Sequence, residues 1–260
     1  SEKNSMKIYI TILFTSLISI GAFASSDSTR AEKPTLTLAA MYGSNANYYG
    51  QAAAERLPYV LTNATFTAPG GFYLSGSAYR FLSMGGSGIS AADASAGFDW
   101  DLTDRLALGI GYTRSFYPEN SPLLQAANEN MASASVGYDW LLFKTDLAVD
   151  YSFGSGEDMF VSFSNSKLIN LGSLFSENDF ITLEPSVEVV GGTQQYLEEY
   201  TIRKKNRDKL IDRIKNPLLP PGQNQEEIVT TTKTDFDLLS YSFNLPVGYN
   251  RGNYLIEAGY

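Results

Sequence analysis

The chain has 260 residues, a formal net charge of -9, no Cys and no His. The acidic balance argues against nucleic acid as a partner. The two absences exclude disulfides, thiolate or imidazole metal sites and any relay that needs a histidine.

The N-terminus reads as a secretory signal peptide over residues 1–24, with residues 1–5 a short extension ahead of Met6. Lys7 follows Met6, residues 8–20 are mostly apolar, and Ala22-Phe23-Ala24 offers a small-x-small cleavage site before Ser25. That apolar run falls short of the ~20 residues a membrane-crossing helix needs. Residues 25–33 form a polar lead-in, and 34–260 read as a single β domain.

About eleven strands are expected in that domain. The first covers 34–43 and leads into a polar loop rich in Asn, Gly and Ala. The second (57–68) and third (71–83) are joined at Pro69-Gly70-Gly71, where Pro and Gly set a tight reversal. The fourth (89–102) and fifth (105–116) flank Thr103-Asp104, and the sixth (130–142) and seventh (145–154) flank Phe143-Lys144. The eighth runs irregularly over 158–171, and the ninth (180–196) follows a turn at 176–179. The tenth (234–247) and eleventh (252–260) flank Tyr249-Asn250-Arg251.

The alternation is clean in the middle of the chain. Ala94, Ala96, Phe98, Trp100 and Leu102 share one face; Asp93, Ser95, Gly97, Asp99 and Asp101 share the other. Leu147, Val149, Tyr151 and Phe153 oppose Asp146, Ala148, Asp150 and Ser152 in the same way. Period two with one apolar face is a half-buried strand. The strands reach or exceed the ~9–11 residues of a tilted membrane crossing. Connections alternate between short turns and longer polar loops, as in outer-membrane barrels with short periplasmic turns.

These features define an all-β expectation: an antiparallel up-and-down transmembrane β-barrel. A rising first strand makes the eleventh rise too, and single-chain bacterial barrels have even counts. The expectation is therefore eleven strands of a twelve-stranded barrel truncated at its C-terminus, with a ten-stranded barrel as the alternative. A secreted soluble β-sandwich also alternates. It fits less well with so many long strands, alternating loop lengths and tryptophans placed just before turns.

Several stretches carry a family resemblance. They are Phe66-Thr67-Ala68-Pro69-Gly70-Gly71-Phe72-Tyr73, the hairpins at Gly97-Phe98-Asp99-Trp100 and Gly137-Tyr138-Asp139-Trp140, Glu184-Pro185-Ser186-Val187 leading to Gly192-Thr193, and Leu245-Pro246-Val247-Gly248-Tyr249. Over most of its mature length the chain resembles the outer-membrane β-barrel proteins of Bacteroidetes-type bacteria. That resemblance implies the outer membrane and its lipids as surroundings. Members of the family are mostly without an assigned activity, so it implies no catalytic residues.

Two sets of residues follow from the alternation. The lumen candidates are Asp93, Asp99, Asp139, Asp150, Glu184, Glu188 and Glu257, with Arg80 as a partner of uncertain facing. Carboxylates lining a pore favour cations; in a filled barrel the same groups pair with bases and water instead. Those nearest the turns, Asp99 and Asp139, suit a structural role. Phe98, Trp100, Tyr138, Trp140 and Tyr254 suit an interfacial aromatic girdle.

The longest loop carries Arg203, Lys204, Lys205, Arg207, Lys209, Arg213 and Lys215. They read as a solvated external segment, or as a contact for lipopolysaccharide phosphates. No metal, cofactor or catalytic set is expected. The expected function is a porin-like passive channel, with a structural or surface-binding barrel of filled lumen as the alternative.

Overall fold

The computed structural model describes residues 33–49, 51–52, 56–82, 88–118, 128–154, 156–176, 178–193 and 236–259. The expected signal peptide, the basic run 203–215 and Tyr260 lie outside them.

Every described element is a strand. β1 (Thr35–Gly43) is followed by a small hairpin, β2 (Asn47–Tyr48) with β3 (Gln51–Ala52), and then by β4 (Tyr59–Thr67). A meander of β5 (Phe72–Phe81), β6 (Ala91–Thr103), β7 (Leu106–Phe116), β8 (Asn130–Asp139) and β9 (Lys144–Phe153) comes next. β10 (Glu157–Ser166) continues as β11 (Ile169–Gly172), and the chain returns through β12 (Asp179–Leu183) into β13 (Ser186–Gly192). β14 (Asp237–Asn244), β15 (Val247–Arg251) and β16 (Tyr254–Ala258) complete the set.

Ten strands make one antiparallel sheet in the order β1-β4-β5-β6-β7-β8-β9-β10-β13-β14. β11, β12, β15 and β16 make a second sheet of four. The long strands expected from alternation are thus present, and the small β2–β3 hairpin is added to them. The sheet is not closed: β1 and β14 are its two edges.

The two sheets are one wall with a seam. Pro185 and Pro246 have no N–H to give to a ladder. The seam runs through them: the Lys167 N–H donates to the Pro185 carbonyl at 3.1 Å and the Glu184 N–H to the Pro246 carbonyl at 3.1 Å. This is why the eighth, ninth and tenth expected strands each appear as two pieces.

Several turns sit a residue or more from their expected places. Lys144 opens β9 rather than ending a turn, because it pairs with Asp139. Tyr249, Asn250 and Arg251 belong to β15, paired with Ile181, Phe180 and Asp179. The reversal falls instead at Gly252-Asn253, where Gly252 adopts φ +57°. Asp179 is likewise a strand residue.

The strands are strongly staggered. A line of cross-strand partners runs from Tyr73 through Gly97, Gly111, Ser133, Asp150 and Phe160 to Gly192. It starts beside the short turn at Gly70-Gly71 and ends at the far end of β13. Such a drift is what tilted strands need if their short turns are to lie at one level.

Candidate functional site

The two faces of the large sheet have opposite chemistry. Leu36, Leu38, Phe66, Leu74, Phe98, Trp100, Ile110, Leu147, Val149, Phe163, Val187, Val189, Tyr241 and Phe243 are all exposed, on the same face. The other face carries Asn63, Thr65, Ser75, Ser77, Asp93, Ser95, Asp99, Ser133, Ser135, Asp150, Ser152, Asp158, Ser162, Ser164, Glu188 and Ser242, and it is the better buried. Period two keeps each set on its own side along every strand.

The polar face is built from carboxylates held by hydroxyls. Asp93 takes hydrogen bonds from Ser115 and Tyr79, and Glu188 from Ser242. Asp158 accepts from the Thr193 hydroxyl at 2.8 Å and from the Asn128 amide at 3.2 Å. Thr65 and Ser75 share a hydrogen bond at 2.7 Å, and Ser95 and Thr113 another at 2.9 Å. The Lys144 ammonium meets Asp146 at 2.8 Å.

The expected lumen residues divide into three groups. Asp93, Asp99, Asp150 and Glu188 lie on the polar face of the large sheet. Glu184 follows β12, and Glu257 pairs with Gly248 on β16, so both sit in the four-stranded part of the wall. Asp139 ends β8 and caps the following turn, accepting the Leu141 N–H at 2.7 Å. Arg80 does not join these carboxylates. Its neighbours Tyr79 and Phe81 take the inner face, so Arg80 lies exposed on the outer one.

Four of the five girdle residues come together near the short turns. The Phe98 and Trp100 rings stack at 5.4 Å, and Tyr138 meets Trp140 edge-on at 4.5 Å. Trp100 pairs with Leu108, and Leu108 with Val136, so one outer row links the two clusters. Trp140 also donates its indole N–H to Thr145 at 3.1 Å. Tyr254 is apart from them, exposed on β16.

One residue of the site has no counterpart in the expectations. Tyr49, at the tip of the β2–β3 hairpin, reaches the polar face of β8, β9 and β10. Its hydroxyl donates to the Asp150 carboxylate at 2.7 Å and lies 3.5 Å from the Met131 sulfur. Its ring stacks on Phe160 at 3.8 Å. Its carbonyl accepts the Ser240 hydroxyl at 3.0 Å. The sequence places an aromatic at 49, where hairpin tips favour Asn or Gly, but nothing local in it names the distant partners.

On β4 and β5 the inner face has an apolar end. Tyr59, Leu61 and Phe81 form a buried cluster against Met41, Leu57 and Tyr79.

The fold and the site together define an all-β, antiparallel sheet protein with an apolar exposed face and a polar, acidic inner one. Comparisons with protein-family models, with curated proteins and with solved structures give no match.

Proposed function

We propose that the chain forms the wall of a bacterial outer-membrane β-barrel that acts as a passive, non-enzymatic channel for small solutes, with a preference for cations. The inverted polarity of the sheet carries this reading. Soluble proteins rarely expose an apolar patch of more than a few hundred Å², whereas this sheet exposes Leu, Ile, Val, Phe and Trp along nearly every strand. A soluble sandwich would cover that face with a second sheet. Lipid covers it here. The Phe98–Trp100 and Tyr138–Trp140 clusters then sit at the interface, where amphipathic rings are favoured.

The inner face supplies the second half of the reading. Asp93, Asp150 and Glu188, bonded to hydroxyls, give that face its acidic character. Outer-membrane lipids are the surroundings of the outer face.

A second reading is favoured by the Tyr59–Leu61–Phe81 cluster, which fills part of the concave face. In it the lumen is packed and the protein works through its external loops. Reconstitution separates the two. A channel gives discrete, cation-selective steps in planar bilayers, and a filled barrel inserts into lipid yet stays silent. Recovery in the soluble fraction without detergent would defeat both.

A further inference from the structure

We propose that Tyr49 is the residue that sets the width of the passage, a strut thrown by the first loop across the polar face. This rests on the channel reading and deepens it.

The geometry is that of a fixed crossing. The hairpin leaves from the end of β1, where Gly43 pairs with Tyr59. Its tip is anchored on β8, β9, β10 and β14, on the other side of the sheet. Asp150 and Phe160 are cross-strand partners, so carboxylate and ring present one platform. Asp150 is 5% exposed and Phe160 2%. A phenol that donates to a carboxylate in such a setting makes a charge-assisted bond, and the parallel ring below it fixes the tilt of the phenol.

The backbone points the same way. Tyr49 adopts φ +49°, in the left-handed region where a bulky residue is unusual. Tyr49 follows Tyr48, which pairs with Gln51, and the first position of a hairpin tip ordinarily takes Asn or Asp. Such conformations persist where their surroundings over-determine them. Here the four contacts on the far wall do so. A tyrosine serves because only a long, flat side chain with a terminal donor reaches both Phe160 and Asp150.

A consequence follows for the passage. The ring takes up the space in front of Phe160, so solute size is selected at this level. Asp150 stands at the same level but is buried beneath the phenol, so its role is to hold the strut in place.

The test compares wild type with Tyr49→Ala in planar bilayers and in liposomes swollen by neutral sugars of rising size. Tyr49→Ala is expected to raise unit conductance severalfold and to admit larger sugars. If wild type conducts and Tyr49→Ala changes neither readout, the strut is refuted while the channel stands. If both insert and both stay silent, the channel reading itself fails, and the strut with it.

A second measurement is independent of conductance. The chain has no Cys, so Tyr49→Cys with Ser240→Cys carries the only two thiols. A short bifunctional thiol reagent should link them in the inserted protein and shift its gel mobility. No link in protein that resists SDS at room temperature would overturn the crossing.

Discussion

The Tyr73 hydroxyl lies over Gly111, 2.6 Å from where a Cβ on that residue would stand. It lies as close to Gly97, at 2.5 Å. One inward tyrosine on β5 thus covers two glycines on the next two strands, and the absence of their side chains lets the phenol lie along the wall. Gly111→Ala should therefore destabilise by about 1–3 kcal/mol, the usual range for overpacking. Tyr73→Phe should recover most of that, because the next nearest atoms to the new methyl are 3.8 Å away. The same rescue should fail for Gly97→Ala, where the Ile110 carbonyl would remain at 2.3 Å. Urea unfolding in micelles, followed by tryptophan fluorescence, reads all four variants. Equal rescue at both positions would refute the arrangement.

A turn makes the second comparison. Gly70 and Gly71 both adopt left-handed backbone, at φ +85° and +88°. A Cβ on Gly70 meets nothing within 4 Å, whereas one on Gly71 would stand 1.8 Å from the Asp99 carbonyl. Gly70→Ala is expected to cost only the left-handed penalty, about 1–2 kcal/mol. Gly71→Ala must also push β6 away and break the Asp99 N–H to Gly71 carbonyl bond at 3.0 Å. It should fail to refold under conditions where Gly70→Ala refolds. The refolded fraction by gel mobility decides it, and two equal yields would count against the contact.

The strands were legible in the chain because alternation is a local property. Asp93 and Asp99 could be assigned to one face from their spacing alone, and the structure puts both on the polar side. Glu184 and Asp139 were harder, since proline seams and turn caps depend on what pairs with them. Arg80 was ambiguous because Tyr79, itself half apolar, turns inward with Phe81. Tyr49 was beyond reach: its partners Asp150, Phe160 and Ser240 are 101 to 191 residues away, and no local period encodes a contact between a loop and strands so distant in the chain. Whether the sheet closes is likewise a property of its edges, and β1 and β14 remain unpaired with each other.

The tryptophans offer a test of the proposed membrane setting. Trp100 and Trp140 are exposed on the outer face, one at each aromatic cluster. The proposed girdle puts both rings at headgroup depth. In vesicles of brominated lipids, bromines near the carbonyls should quench their emission more strongly than bromines near the chain ends. Quenching that is strongest at the bilayer centre would displace the girdle, and no quenching at all would remove the protein from the membrane.

Charge selectivity tests the inner face. Asp93 and Glu188 stand on opposite parts of the wall, on β6 and β13, each held by hydroxyls rather than by a cation. Neutralising either leaves its hydroxyl partners able to bond the amide that replaces it, so Asp93→Asn and Glu188→Gln should fold. Each removes one carboxylate from the face that the channel reading assigns to the passage. Under a salt gradient the reversal potential should move toward zero with each change and further with both, because nearby fixed charge biases the ions that enter. Arg80→Gln is the control. Its side chain is on the outer face, so the reversal potential should not move. A shift with Arg80→Gln comparable to that with Asp93→Asn would mean that the polar face does not line the passage.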